Sequence, residues 1–139
     1  MKTLFTSFFI LSLIACQPED MTPTSPVGNN PDLSGATLLK QGMFVGIGGH
    51  TASGTVKVYK LGSKLYIVLD PYESQNGPDL KVYLSKNETA SEYINLGKLM
   101  SIMGKQTYEV PGMPEISQYP YVHIWCEAFS VEFARAILQ

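Results

Sequence analysis

Short apolar runs separated by turn residues make up most of the chain from residue 33 onward. In the clearest of them, Thr55–Leu61, Val56 and Val58 alternate with Lys57 and Tyr59. This period of two is typical of a half-buried β-strand, because successive side chains point to opposite faces of a sheet. Nine runs of this kind are predicted to be strands: Leu38–Ile47, Thr55–Leu61, Lys64–Asp70, Asp79–Ser85, Tyr93–Leu96, Leu99–Met103, Gln106–Val110, Tyr121–Ala128 and Val131–Leu138.

Turn residues interrupt these runs at short intervals. Residues 48–54 are rich in glycine, and residues 74–78 end in Asn-Gly-Pro. Strands this short and frequent, with no helical period after residue 15, predict an all-β fold: a single antiparallel β-sandwich or flattened barrel. In and between its last two strands we expect four large side chains to be buried: Val122, Ile124, Phe129 and Phe133.

The first fifteen residues have a different pattern. A positive charge at Lys2 precedes the apolar run Leu4–Ile14, which is shorter than the roughly 20 residues that a membrane-spanning helix needs but suits a signal peptide. The run ends in Leu13-Ile14-Ala15-Cys16, the pattern of a lipobox. Residues 1–15 are therefore predicted to be a lipoprotein signal peptide, cut before Cys16, whose thiol would carry the lipid that binds the membrane.

A proline-rich segment follows the predicted lipidation site. Residues 16–32 contain Pro18, Pro23, Pro26 and Pro31 among small polar residues, which predicts an extended linker reaching up to roughly 50 Å from the lipid. A β-sandwich domain is then expected over residues 33–139. The acidic residues just after Cys16 resemble export signals of surface lipoproteins. The predicted location is the bacterial cell envelope, where the protein would be lipid-anchored in the outer membrane and either displayed on the cell surface or facing the periplasm.

Charge and cysteine content narrow the function classes. The formal charge of −2 becomes −3 once Lys2 is removed, and the ten Lys and Arg residues are scattered, which argues against nucleic-acid binding. Only two cysteines are present. With Cys16 acylated, Cys126 has no partner for an intrachain disulfide, and a lone thiol in an exported protein is unusual.

Enzyme motifs are missing from the sequence. It contains no hydrolase, transferase or nucleotide-binding motif, which favours a non-enzymatic role. The absence of a Cys-x-x-Cys-His motif excludes covalent c-type haem.

Cys126 is the first candidate functional residue. Alternation along its strand places it on one face with Val122 and Ile124, and places His123 and Trp125 on the other. A cysteine among aliphatic neighbours is either a small buried hydrophobe or, with some exposure and a lowered pKa, a redox thiol. The pattern leaves both interpretations open.

Three further residues are candidates, each with a structural alternative. His50, in the glycine-rich loop, is either a partner of Cys126 or bonded to its own loop. Asp79 either binds a cation or caps its turn. Trp125 either forms a stacking platform for a sugar or packs against other aromatics, with Tyr59, Tyr66 and Tyr83 as its expected neighbours.

Several short motifs follow one another from residue 42 onward. They are Gly42-Met43-Phe44, His50-x-x-Ser53-Gly54, Gly77-Pro78-Asp79-Leu80-x-Val82-Tyr83-Leu84-Ser85, Leu96-Gly97, Gly104-x-Gln106-x-Tyr108-x-Val110-Pro111, and Val122-x-Ile124-Trp125-Cys126-x-x-Phe129-x-Val131-x-Phe133 with Ala136 and Leu138. Their order and spacing resemble one small exported family, the electron transfer DM-thirteen domain, which occurs beside DOMON domains in Skeletor-type animal proteins and alone in bacterial lipoproteins. The resemblance implies a β-sandwich in which a cysteine acts in electron transfer, as a bare thiol or as a ligand of haem or a metal ion. In this chain that position is Cys126.

Two function hypotheses follow. In the first, the protein is a membrane-anchored redox or electron-transfer module that uses Cys126 with a redox partner or small ligand. In the second, it is a ligand-binding or adhesion module of the cell surface in which Cys126 is buried and inert. Exposure of the thiol distinguishes them.

Overall fold

The computed structural model describes residues 21–139, so the predicted signal peptide and Cys16 lie outside the described residues. The described chain forms eight strands and one short 3₁₀ helix, Ile116–Gln118. The strands are β1 (Thr37–Gly46), β2 (Ala52–Leu61), β3 (Lys64–Ser74), β4 (Leu80–Ser85), β5 (Tyr93–Lys98), β6 (Gln106–Val110), β7 (Tyr121–Cys126) and β8 (Val131–Ile137).

All eight strands form one antiparallel sheet in the order β5-β4-β7-β8-β1-β2-β3-β6. The edge strands β5 and β6 contact each other, so the sheet curls into a flattened, nearly closed barrel. The predicted all-β fold is confirmed. Within residues 21–139 no helix has the length and apolarity to cross a membrane.

One predicted strand is wrong. Residues 99–103, expected to be extended, form a loop between β5 and β6. These two strands are the edges of the sheet that meet where the barrel closes, so the segment connects one edge to the other. Within it Met103 forms an isolated bridge with Glu73 of β3. Its backbone is held by the end of β3, where the Ser74 amide donates to the Ile102 carbonyl at 2.9 Å.

Side chains fill the interior of the barrel because alternate residues of each strand point inward. Val122, Ile124 and Phe133 are buried, as predicted. The prediction for Phe129 is wrong: it is 63% exposed, because β7 ends at Cys126 and residues 127–130 form the turn to β8. The interior includes Phe44, Val56, Val58, Ile67, Leu69, Leu80, Val82, Leu84, Val122, Ile124 and Ala134.

The described part of the predicted linker is held against the barrel. Thr22 is buried, its amide donates to Asn76 Oδ1 at 3.2 Å, and its carbonyl accepts from Asn76 Nδ2 at 2.8 Å. The Ile102 amide donates to the Pro23 carbonyl at 3.0 Å. Residues 21–30, which we call the strap, are therefore part of the folded domain and do not extend away from it.

Candidate functional site

One end of the barrel contains the candidate residues Cys126, His50 and Asp79. Because consecutive strands run in opposite directions, alternate connections meet at this end: residues 47–51, 75–79, 99–105 and 127–130. We call these four loops the rim. The strap adjoins the rim, since Met21 forms an isolated bridge with Pro78.

Cys126 lies inside the barrel beneath the rim. It ends β7, where it pairs with Leu80 on β4 and with Val131 on β8. Its side chain is 0% exposed, and its thiol donates to the Pro78 carbonyl at 3.0 Å. The prediction that it shares a face with Val122 and Ile124 agrees with their common burial in the core.

The loop that carries Pro78 is closely packed against Phe133. A methyl group built on Gly77 would lie 2.5 Å from Cζ of Phe133, so any side chain at this position would have to displace the Phe133 ring. Phe133 also contacts His50, whose ring stacks on it with centroids 3.8 Å apart. His50 Nδ1 donates to the Ile47 carbonyl at 2.8 Å, so this histidine bonds its own loop.

The described residues do not form a metal site with several protein ligands. Within residues 21–139 no three His, Cys, Asp or Glu side chains converge in a way that could hold a metal. The Cys126 thiol donates a hydrogen bond to the Pro78 carbonyl within the apolar interior, and Nδ1 of His50 donates to the Ile47 carbonyl. A structural zinc site would need about four such ligands together.

Asp79 lies on the outer side of the rim in an ion pair. Its backbone has a φ of 52°, and its carboxylate accepts from Lys81 Nζ at 2.6 Å. Lys81 Nζ is also 3.7 Å from Glu127 Oε2. The Asp79 hydrogen bond, opposed by burial, raises the pKa of Lys81, so the ammonium stays charged between the two carboxylates.

Trp125 belongs to a row of aromatic rings on the outer face of the sheet. Tyr83 lies between Tyr93, at 4.0 Å between ring centroids, and Trp125, at 6.1 Å. Its hydroxyl donates to Glu127 Oε1 at 2.6 Å, and burial together with this bond raises the pKa of Tyr83 well above its ordinary range. The ring of Tyr83 is buried between its two neighbours, so its face is not available to stack on a sugar.

A buried ionic network that the sequence interpretation missed lies on the same outer face. His123 is fully buried, and its Nδ1 lies 2.5 Å from Glu132 Oε1. Arg135 donates to the same carboxylate through Nε at 2.9 Å and through a terminal nitrogen at 2.7 Å, and also pairs with Glu88. Burial would raise the pKa of Glu132, but the bonds from His123 and Arg135 outweigh it and hold the pKa below its ordinary value.

A β-bulge creates this network. Ile124 and Trp125 of β7 face Ala134 and Glu132 of β8, which leaves Phe133 as an extra residue. The extra residue shifts the alternation in β8, so Glu132 and Arg135 lie on the same face although they are three positions apart. A regular strand would place them on opposite faces, so strict period-two alternation could not have found the pair.

The structure therefore does not unite the predicted site residues. Cys126 points into the core, Asp79 and Trp125 lie on the outer surface, and His50 stacks on Phe133. A series of contacts links His50 to the neighbourhood of the thiol. His50 stacks on Phe133, and Phe133 packs against Gly77. The next residue, Pro78, carries the carbonyl that accepts the hydrogen bond from Cys126.

Comparison with known protein families gives one match. The model of a family described as electron transfer DM13 matches residues 44–138, more than two thirds of the chain. The matched region includes Cys126 and the whole rim, while Cys16 and the strap lie before it. No curated protein and no solved structure shows significant similarity to the chain.

Proposed function

The chain belongs to the electron transfer DM13 family, and from this premise we propose that it is a lipid-anchored redox protein of the bacterial cell envelope whose reactive group is the Cys126 thiol. The observation that carries the proposal is the position of this thiol within the matched region. It is the free cysteine of the described residues, and its sulfur lies directly behind one rim loop.

Access to the sulfur requires opening of that loop. Cys126 is fully buried in the closed structure, with the Pro78 carbonyl as hydrogen-bond acceptor. It is also the last residue of β7, and its neighbour Val131 begins β8 and is partly exposed. Strand ends and loops open at lower free energy than the centre of a sheet, so the thiol can become reachable without global unfolding.

The chemistry available to a lone thiol is exchange with a second molecule. Deprotonated Cys126 Sγ attacks a partner disulfide, a new S–S bond forms between the two molecules, and the partner's S–S bond breaks. The proton lost by Cys126 ends on the leaving thiolate. In the mixed disulfide the Cys126 sulfur is oxidised and the released partner sulfur is reduced, each by one formal electron. A thiol of another molecule then attacks the partner sulfur of the mixed disulfide, which releases Cys126 as a thiol and exchanges the disulfide between the two other molecules.

Labelling with an aromatic disulfide reagent tests this proposal. We expect one equivalent of Cys126 to react in native protein, at least about tenfold faster than global unfolding allows, because local opening suffices. Gly77→Ala should speed the reaction further, since a methyl group there must displace the Phe133 ring. Gly28→Ala is the matched control, because no atom lies within 4 Å of the added methyl.

A different result would remove Cys126 from the mechanism. If labelling proceeds only as fast as global unfolding and shows the same dependence on urea, the thiol is an inert part of the core. If Gly77→Ala and Gly28→Ala label at equal rates, the Pro78 loop does not control access.

The alternative function is a non-redox ligand-binding or adhesion module. One observation favours it: the outer surface of β1, β2 and β8 contains a groove of about 820 Å³, lined in part by Met43, Val45 and Ile137, which are all exposed. Exposed apolar surface of this kind often marks a binding site. An inert Cys126 in the labelling experiment would favour this function.

Lipid anchoring is the second part of the proposal, and the lipobox ending in Cys16 supports it. A lipoprotein with two or more acyl chains stays on the membrane, while a chain without them has no such anchor. Cys16→Ser should therefore abolish labelling with radioactive fatty acid and move the protein from the membrane to the soluble fraction. Persistent fatty-acid labelling and membrane fractionation of Cys16→Ser would contradict anchoring at this residue.

A further inference from the structure

The strap limits how the domain can stand on a membrane. Met21 is fixed to the rim by its bridge with Pro78, and the next residue is bonded to Asn76 at both backbone groups. Five residue steps separate Met21 from Cys16. A fully extended chain of that length spans at most about 18 Å, so the rim has to stay within that distance of an acylated Cys16.

The rim presents exposed apolar side chains at the same end. Met21 is 52% exposed, Met103 41% and Phe129 63%. Phe129 lies in the turn 127–130, and the Glu127 amide of that turn donates at 3.1 Å to the carbonyl of Asp79, the neighbour of the Pro78 that is bridged to Met21. Apolar side chains of surface-bound proteins enter the boundary between headgroups and acyl chains, about 5–10 Å deep.

Charges near this patch are compatible with the headgroup layer. The carboxylates of Asp79 and Glu127 are both paired with Lys81, which reduces their repulsion from anionic headgroups. Glu73, bridged to Met103, is exposed and limits insertion to the polar layer of the membrane.

We propose that the rim is a lipid-binding surface: the domain rests on the membrane with Met21, Met103 and Phe129 inserted at the interface. This inference rests on the proposed lipid anchor at Cys16. It also bears on the redox proposal. Cys126 lies beneath the same rim, so in this orientation the loop that covers its thiol faces the membrane surface. A redox partner would then meet the thiol at the lipid interface, not in free solution.

Fluorescence quenching by lipids tests the orientation. The acylated full-length protein is reconstituted in phosphatidylcholine vesicles with and without brominated acyl chains, as Phe129→Trp and as Ser63→Trp. Ser63 is the matched control, since it is exposed in the hairpin between β2 and β3 at the opposite end of the barrel. Native Trp125 contributes equally to both variants. We expect the lipid-dependent quenching of Phe129→Trp to be at least about twice that of Ser63→Trp, because interfacial side chains reach the brominated chains.

The outcomes separate the two proposals. Protein that floats with the vesicles and shows equal quenching in both variants overturns the orientation while leaving the anchor intact. Protein that does not float, and whose Cys16 carries no acyl group by mass spectrometry, overturns the anchor and the orientation with it.

Discussion

Replacing Glu132 by alanine should lower the free energy of unfolding by about 3–5 kcal/mol, the usual cost of removing one partner from a buried ion pair. The Glu132 side chain is only 10% exposed and accepts hydrogen bonds from His123 and Arg135. Without the carboxylate, His123 is left fully buried with one ring nitrogen unsatisfied. Urea unfolding of the variant and the native protein measures the difference.

The control for this prediction is an exposed ion pair. Lys64 and Glu109 are paired at 3.2 Å, but both side chains are more than half exposed. Such pairs contribute about 0–1 kcal/mol, so Glu109→Ala should have little effect. Equal losses in Glu132→Ala and Glu109→Ala would contradict a structural role for the buried network.

The same carboxylate predicts a dependence of stability on pH. The folded pKa of Glu132 is below its ordinary value of 4.5, so its stabilising contribution is fully present above that pH. The contribution is lost as the pH falls through the lower, folded pKa. Glu132→Gln keeps the shape of the side chain and cannot titrate, so its stability should fall less steeply in acid than that of the native protein.

Ile124→Ala should destabilise the domain by about 2–5 kcal/mol, through lost burial and the cavity left behind. Ile124 is 0% exposed and lies on β7, the strand that joins β4 to β8 in the middle of the sheet. Phe129→Ala removes a larger side chain three residues beyond the end of that strand. Because Phe129 is 63% exposed, its loss should change stability by no more than about 0.5 kcal/mol.

Thermal unfolding of both variants decides this point. A large loss for Phe129→Ala, or a small one for Ile124→Ala, would contradict the end of β7 at Cys126 and the inward orientation of Ile124. The comparison also serves as a control for the quenching experiment. If Phe129 can be replaced without loss of stability, a change in lipid contact after substitution at this position does not come from misfolding.

Much of the fold could be predicted from local pattern. Alternation in Thr55–Leu61 identified β2 from its fourth residue to its end, and the pattern of β7 assigned Val122 and Ile124 to the core. These predictions succeed because the side-chain period of a strand is a property of the backbone and does not depend on its neighbours.

Long-range packing decided the features that the pattern missed. Leu99–Met103 has the composition of a strand, but it connects the two edge strands where the barrel closes, and its backbone bonds to the end of β3. The proline-rich strap has the composition of a free linker, yet Asn76 binds both backbone groups of Thr22. No local signal in either segment reports its distant partner.

The candidate site divides in the same way. The sequence by itself determined that Cys126 lies on an apolar strand face and that His123 points away from it, and the predicted acylation of Cys16 left Cys126 as the candidate thiol. Only the tertiary structure decided that the sulfur is closed behind Pro78, that His50 stacks on Phe133 instead of reaching the thiol, and that a bulge joins Glu132 to His123 and Arg135. The reason is physical: the face on which a side chain lies follows from its own strand, whereas its burial and its partners depend on which distant residues the closed sheet brings against it.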